Sequence, residues 1–223
     1  MLGAMSPDSI FNQRYAYYSP DRAAAKTTTP TKTRKTQKTP RVVRAFVSYS
    51  HRDEDTAVAL CTGLIEQNVG IVVDSGGLRP SMSIEKFIET GIRTADATVV
   101  IVSRYSLLST WVAMECDEAL RNNRSAFFGC YLDESFLSRA FVRGALEYAD
   151  TEIDEIGDEI KRRIDRRYGF DDLYDDYQRH IALRSNIHKV VRQLRATACL
   201  SLQTDDFAQS IQKLGRALNE LAK

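Results

Sequence analysis

Four short runs fix what this chain can fold into: RAFVSYS, VGIVVD, ATVVIVS and AFFGCYLD. They are rich in β-branched and aromatic residues, and the most apolar carry such residues on both faces, as expected of strands covered on both sides of a parallel sheet. The segments between them carry helical spacing instead. Val58, Cys61, Leu64 and Ile65 recur in the first, and Ile84, Phe87, Ile88 and Ile92 in the second. TWVAMECDEALRNN forms the third. The resulting β-α-β-α-β-α-β order, with short connections, predicts a doubly wound α/β domain, because parallel neighbours need right-handed crossovers.

The C-terminal part extends this plan. Residues 139–196 are strongly charged and longer than an ordinary crossover. Leu173, Tyr177, Ile181, Ile187, Val191 and Leu194 give them an amphipathic helical stripe. They read as a helical insertion before the last strand, packed on the domain edge or serving a protein partner. ACLSL is the fifth strand. A closing helix follows, with Thr204 as its expected cap and Phe207, Ile211, Leu214, Leu218 and Leu221 as its stripe.

Residues 1–41 read differently. RAAAKTTTPTKTRKTQKTPR holds no acid and no large apolar residue, so it predicts a disordered basic tail or linker ahead of a domain spanning 42–223. That tail is the one segment suited to nucleic acid. The chain as a whole has 31 basic and 30 acidic residues, a net charge of +1, and no global attraction for nucleic acid or an anionic membrane. No apolar run approaches a membrane span, and MLGAMSPDSIFNQRY lacks the form of a signal peptide. Cys61, Cys116, Cys130 and Cys199 are scattered among apolar residues, as expected of buried reduced thiols in a cytoplasmic protein. No metal-ligand spacing, phosphate loop or nucleophile elbow is present, and His180 and His188 are expected to be solvated.

In such a sheet, ligands gather beyond the C-terminal strand ends, here Ser48–His51, Asp74–Ser83, Ser103–Ser109 and Asp133. The sharpest local pattern is SxWxxxE, formed by Ser109, Trp111 and Glu115. On a helical wheel at about 100° per residue, Val112, Cys116, Ala119 and Leu120 form the apolar arc. Glu115 falls at its edge, with Asp117 and Glu118 well outside. Glu115 alone of the three acids is expected to be partly desolvated, with a raised pKa. It either borders the core and pairs with an arginine, or faces a developing positive charge in a cleft.

These residues resemble the TIR (Toll/interleukin-1 receptor) family, whose fold is flavodoxin-like. RAFVSYSHRDED is similar to the strand motif FxSYSxxD, and VVDSGGLRPSMSIEKFIETGI to the second strand and the loop after it. ADATVVIVSRYSLLSTWVAMECDEAL is similar to the third strand and third helix, where many bacterial members carry SxW followed by Glu. The loop departs from the family pattern, reading Arg79-Pro80-Ser81 where Pro-Gly is usual. The resemblance implies an NAD+ glycohydrolase or ADP-ribosyl cyclase that takes NAD+ as substrate and needs no cofactor. Its implied catalytic residue is Glu115, on the third helix. Tyr49, Ser50 and His51 would line the cleft, Asp74, Arg79 and Ser83 would close over the nicotinamide side, and Trp111 would pack near the ribose. It also implies homo-oligomers through TIR–TIR contacts and, among bacterial members, antiphage defence. A non-catalytic TIR–TIR interaction module is the alternative. A nucleoside deoxyribosyltransferase-like enzyme is a further one that the FVSYS and SxWxxxE spacings disfavour.

Overall fold

The computed structural model describes residues 41–72, 84–122 and 125–222. Five strands are present there: β1 (Arg44–Ser48), β2 (Gly70–Val72), β3 (Ala97–Val102), β4 (Ala126–Tyr131) and β5 (Leu200–Ser201). The helices are α1 (Glu54–Glu66), α2 (Ile84–Thr94), α3 (Thr110–Arg121), α4 (Arg139–Asp165), α5 (Asp171–Ala196) and α6 (Phe207–Glu220). All strand pairs are parallel, in the order β2-β1-β3-β4-β5. This is the flavodoxin-like doubly wound arrangement, with the long α4–α5 hairpin ahead of the last strand.

Alternation along β3 explains the two layers. Ala97, Val99 and Ile101 pack with Ala57, Leu60 and Leu64 of α1 and with Ile211, Leu214 and Leu218 of α6. Val100 and Val102 face the other way, onto Val112, Ala113 and Cys116 of α3. The α4–α5 hairpin completes that second core through Val142, Ala145 and Ala149 of α4 and Leu183, Ile187, Val191 and Leu194 of α5. All six β3 residues are buried, as a period-two strand between two helical layers requires. Each hairpin helix is about 40 Å long at about 1.5 Å per residue. Arg163 ties the tip, donating to Asp172 at 2.9 Å and to the Gly169 carbonyl at 3.3 Å.

Several side chains lie where sequence alone did not put them. The buried face of α1 is Ala57, Leu60 and Leu64, whereas Val58 and Ile65 are exposed and Cys61 is half-buried. Both stripes are apolar, and the one that carries Leu60 and Leu64 faces the sheet. Thr204 does not cap the closing helix. Helix α6 starts at Phe207 with Asp206 at its N-cap, and Leu221, past the helix end, is exposed. His180 is buried, not solvated, because it sits on the α5 face turned to α4. Its Nδ1 lies 3.0 Å from the Asp176 carbonyl and its ring meets Tyr148 edge-on. Asp117 is buried as well, because α5 covers the side of α3 that a lone helix would leave in water. It pairs there with Lys189 and Arg121, each at 2.5 Å. All four cysteines are free thiols. Burial pushes Cys61 up to about 11 and Cys130 up to about 12, so both stay protonated and unreactive. The N-terminal tail falls outside the described residues up to position 40, while Arg41 pairs with Asp96.

Gly129, inside β4, sits under Cys199 and Leu194. A Cβ there would stand 2.6 Å from the Cys199 Sγ and 3.1 Å from the Leu194 Cδ2. Gly129→Ala is therefore expected to destabilise the fold by about 1–3 kcal/mol through overpacking. Urea denaturation should show a smaller penalty when the same change is made in a Cys199→Ala background, and equal penalties would refute the contact.

Candidate active site

β1 lies between β2 and β3, so the chain reverses its direction of winding at the β1/β3 boundary. Strand ends diverge there, and a crevice opens beyond their C-termini. The last residue of β1 is Ser48, which is buried. Phe46 and Ser48 point to the α2/α3 side of the sheet, and Val47 and Tyr49 to the α1/α6 side. Ser48 thus meets α3, and its hydroxyl donates to the Glu115 carboxylate.

Helix α3 delivers Glu115 to that point. Ser109 caps the helix, its Oγ accepting from the Val112 N–H at 3.3 Å. Trp111 follows in the first turn and Glu115 one turn later. Glu115 is half-buried as a residue, yet its carboxyl is enclosed enough that burial pushes it up to about 7 from an ordinary 4.5. The Ser48 bond opposes that shift by favouring the ionised form. The result is a carboxyl that is part protonated and part ionised near neutral pH. Such a group can meet a developing positive charge or exchange a proton.

Trp111 is half-buried against the Phe46 and Ile92 cluster. The Arg179 guanidinium, from α5, lies over its ring at 4.8 Å. Arg179 is held by Asp176 at 3.2 Å, and its buried Nε has no hydrogen-bond partner among the described residues. A second polar link closes the neighbouring strand end. The Ser103 hydroxyl donates to Asp53 Oδ2 at 2.6 Å, and both side chains are buried. Burial raises the Asp53 pKa, the Ser103 bond lowers it and the Asp133 charge raises it, for a net rise. Asp133 accepts the Arg104 N–H and the Ser135 N–H, each at 2.9 Å, and is held below its ordinary value, with the hydrogen bonds and the Arg104 charge outweighing its own burial.

The candidates named from sequence divide as follows. Glu115 and Trp111 share one face of α3 at the strand ends. Tyr49 is half-buried against the core on the opposite side of the sheet. Ser50 caps a short 3-10 turn, accepting from the Arg52 N–H at 3.4 Å, and His51, exposed, begins that turn. Asp74, Arg79 and Ser83 lie outside the described residues. Sequence reasoning placed Ser48 at the ligand-gathering strand end without naming it as a partner of Glu115, and missed Arg179 as a neighbour of the site. Strand alternation in FVSYS carries the signal for Ser48, since it places Ser48 opposite Tyr49. Nothing local marks Arg179, whose contact with Trp111 depends on how the hairpin docks.

Comparison with known proteins identifies the architecture. The family model described as "TIR domain" matches residues 45–164, which runs from β1 to the end of α4. No curated protein matches the chain. Among solved structures, the TIR domains of the activated Roq1 resistosome that directly recognises the pathogen effector XopQ superpose with a TM-score of 0.52 at 18% identity. The match covers 79% of this chain and 99% of that one, and at such identity it shows a shared fold.

The geometry sets a pH dependence of stability. Because Glu115 binds its proton more tightly folded than unfolded, its contribution is complete below about pH 4.5 and is lost as pH rises through about 7. Glu115→Gln should remove this dependence and make the variant more stable than wild type above neutral pH, by at most about 3 kcal/mol. Urea melts at several pH values would measure it, and parallel wild-type and variant profiles would rule out a buried carboxyl.

Proposed function

The chain belongs to the TIR-domain family, and on that premise we propose that it cleaves the nicotinamide–ribose bond of NAD+, with Glu115 as the catalytic carboxylate. The observation that carries this reading is the enclosed Glu115 carboxyl, raised to about 7 and held by Ser48 at the open end of a parallel sheet. The chemistry asks for little more. The pyridinium nitrogen takes the electron pair of the C1′–N bond and leaves as neutral nicotinamide, so no acid is needed to protonate it. The ribose becomes an oxocarbenium-like cation, which an ionised carboxylate at short range stabilises. Water then adds at C1′ and loses a proton, giving ADP-ribose. A nucleophile within the molecule in place of water gives a cyclic product. This differs from ordinary glycosidases, which set two carboxyl groups at a defined separation.

Roles follow for the neighbours. Ser48 orients the carboxylate and favours its charged form. Trp111, one turn earlier on α3, offers a flat surface beside it. Arg179 holds that ring from the other side. Asp74, Arg79 and Ser83 belong to the loop proposed to close over the nicotinamide end, and Tyr49, Ser50 and His51 to the wall after β1. Activity is proposed to depend on self-association through TIR–TIR contacts, consistent with the Roq1 TIR domains, which were solved within a resistosome. The proposed setting is antiphage defence in a bacterial cytoplasm, resting on the resemblance of SxWxxxE to bacterial members. One sequence feature favours a second reading as an interaction module: Arg79-Pro80-Ser81 lacks the glycine usual at that turn.

The deciding experiment follows nicotinamide release from NAD+ by chromatography, at high protein concentration with a crowding agent. Wild type should release it and Glu115→Gln should fall by about 100-fold or more, the scale of a lost electrostatic group. Equal release would sink the assignment. No release by either, with partner binding lost on Arg79→Ala, would favour the interaction module. The rate should rise with pH through about 7 as Glu115 ionises. Ser48→Ala removes the bond that favours ionisation, so its profile should move to higher pH. An unmoved profile would mean that Ser48 does not act through Glu115.

A further inference from the structure

A groove of about 670 Å³ runs between the body-proximal halves of α4 and α5, away from Glu115. Its walls carry Arg139 and Arg143 from α4 and His188, Lys189, Arg192 and Arg195 from α5. No acidic residue lines it. Lys189 is already engaged with Asp117, and Arg195 donates to the Phe136 carbonyl at 2.8 Å. Arg139, Arg143, His188 and Arg192 are exposed and have no ion-pair partner among the described residues. Arg139 and Arg143 stand one turn apart on α4, as do His188 and Arg192 on α5, so basic side chains neighbour one another along each wall of the groove. The whole chain has a net charge of only +1, and the groove differs from the cationic run Lys161–Arg167 at the hairpin tip in having no acid in its lining. Acids at Asp150, Asp158, Glu159, Asp172 and Asp176 gather farther along the hairpin and pair with cations there.

We propose that this groove binds a phosphorylated small molecule of nucleotide size. The unpaired guanidinium groups supply forked donors suited to phosphate oxygens. Half-buried Leu146, with the narrow exposed edges of the core residues Val142 and Val191 and the aliphatic stems of the arginines, gives the lining an apolar strip, which suits a base or similar flat ring. The volume lies within the range of small-molecule sites, roughly 300–1,000 Å³, and exceeds what a lone phosphate fills. Bound phosphates would relieve the mutual repulsion of the cations, so the ligand should stabilise the fold. The proposal is independent of NAD+ cleavage, because none of the residues that line the groove touches Glu115, Ser48 or Trp111.

Calorimetric titration and thermal melting of the full chain with ATP, adenosine and inorganic tripolyphosphate would test it. The comparison is wild type against Arg143→Glu/Arg192→Glu, with Arg143→Ala/Arg192→Ala as a milder pair. Circular dichroism checks that both fold. ATP should bind wild type and raise its Tm, tripolyphosphate should bind more weakly, and adenosine should give no response. The alanine pair should weaken ATP roughly tenfold or more, the scale of a lost charge-assisted hydrogen bond, and the glutamate pair further. Nicotinamide release by the alanine pair should match wild type, which keeps this test separate from the Glu115 assignment. ATP bound equally by wild type and both pairs would overturn the proposal. So would salt-sensitive self-association, lost in the variants, with no response to ATP, since that identifies an acidic surface of a second copy as the occupant. Equal affinity for tripolyphosphate and ATP would overturn the apolar strip's role and reduce the site to a phosphate cluster.

Discussion

A parallel sheet cannot leave a face in water, and in this protein that constraint falls on α5. Helices α1 and α6 seal one side. On the other, α2 and α3 cover β1 and reach Phe127 at the start of β4, and the rest of that face is left to other elements. The hairpin supplies the missing layer, and α5 packs against β3, β4 and α3 through Leu183, Ile187, Val190, Val191 and Leu194. These are among the most deeply buried side chains of the protein. The segment that looked like an addition to the domain is thus part of its core.

The two sides of the third helix are closed by different partners. α5 covers α3 at Asp117 through Lys189, and the end of β1 meets it at Glu115 through Ser48. Asp117 is enclosed but paired on each oxygen, and remains a structural ion-pair residue. Glu115, two residues away, is enclosed with a single hydroxyl as its hydrogen-bond partner among the described residues. A neutral donor compensates a buried carboxylate less than two cations do, so desolvation wins at Glu115 and its pKa climbs. The contrast between these two acids shows why burial alone does not mark a functional residue. What distinguishes Glu115 is burial without a countercharge, at an open strand end.

Sequence reading succeeded for the strands, their order and Glu115, where the pattern within one element carried the information. Strand positions followed from apolar runs, and the layer order from their alternation with helices. The special position of Glu115 followed from the wheel of one helix. It failed wherever two elements had to be docked first. Asp117 lies outside the apolar arc of α3 and is nonetheless buried, because a helix more than 50 residues later covers it. His180 fails for the same reason from the opposite partner. On α1, two apolar stripes compete, and only the shape of the sheet selects Ala57 and Leu60 over Val58 and Ile65. Ser48 was legible in principle, since period-two alternation in FVSYS separates it from Tyr49.

One helix serves both the candidate active site and the basic groove. Arg179 stacks on Trp111, and Arg192 stands 13 residues later on the same unbroken α5, about 20 Å along its axis. Continuity alone would suggest a lever from one place to the other. The packing argues otherwise. Between Arg179 and Arg192, α5 shares one core with Val112, Ala113 and Cys116 of α3. Any shift of α5 large enough to move Arg179 must carry α3 along or open a cavity between them, and opened cavities in such cores cost several kcal/mol. The Trp111–Arg179 stack and the Glu115 carboxyl therefore move as one body with the helix beneath them. An anion in the groove adds to the stability of that body and leaves the distances within the site as they are.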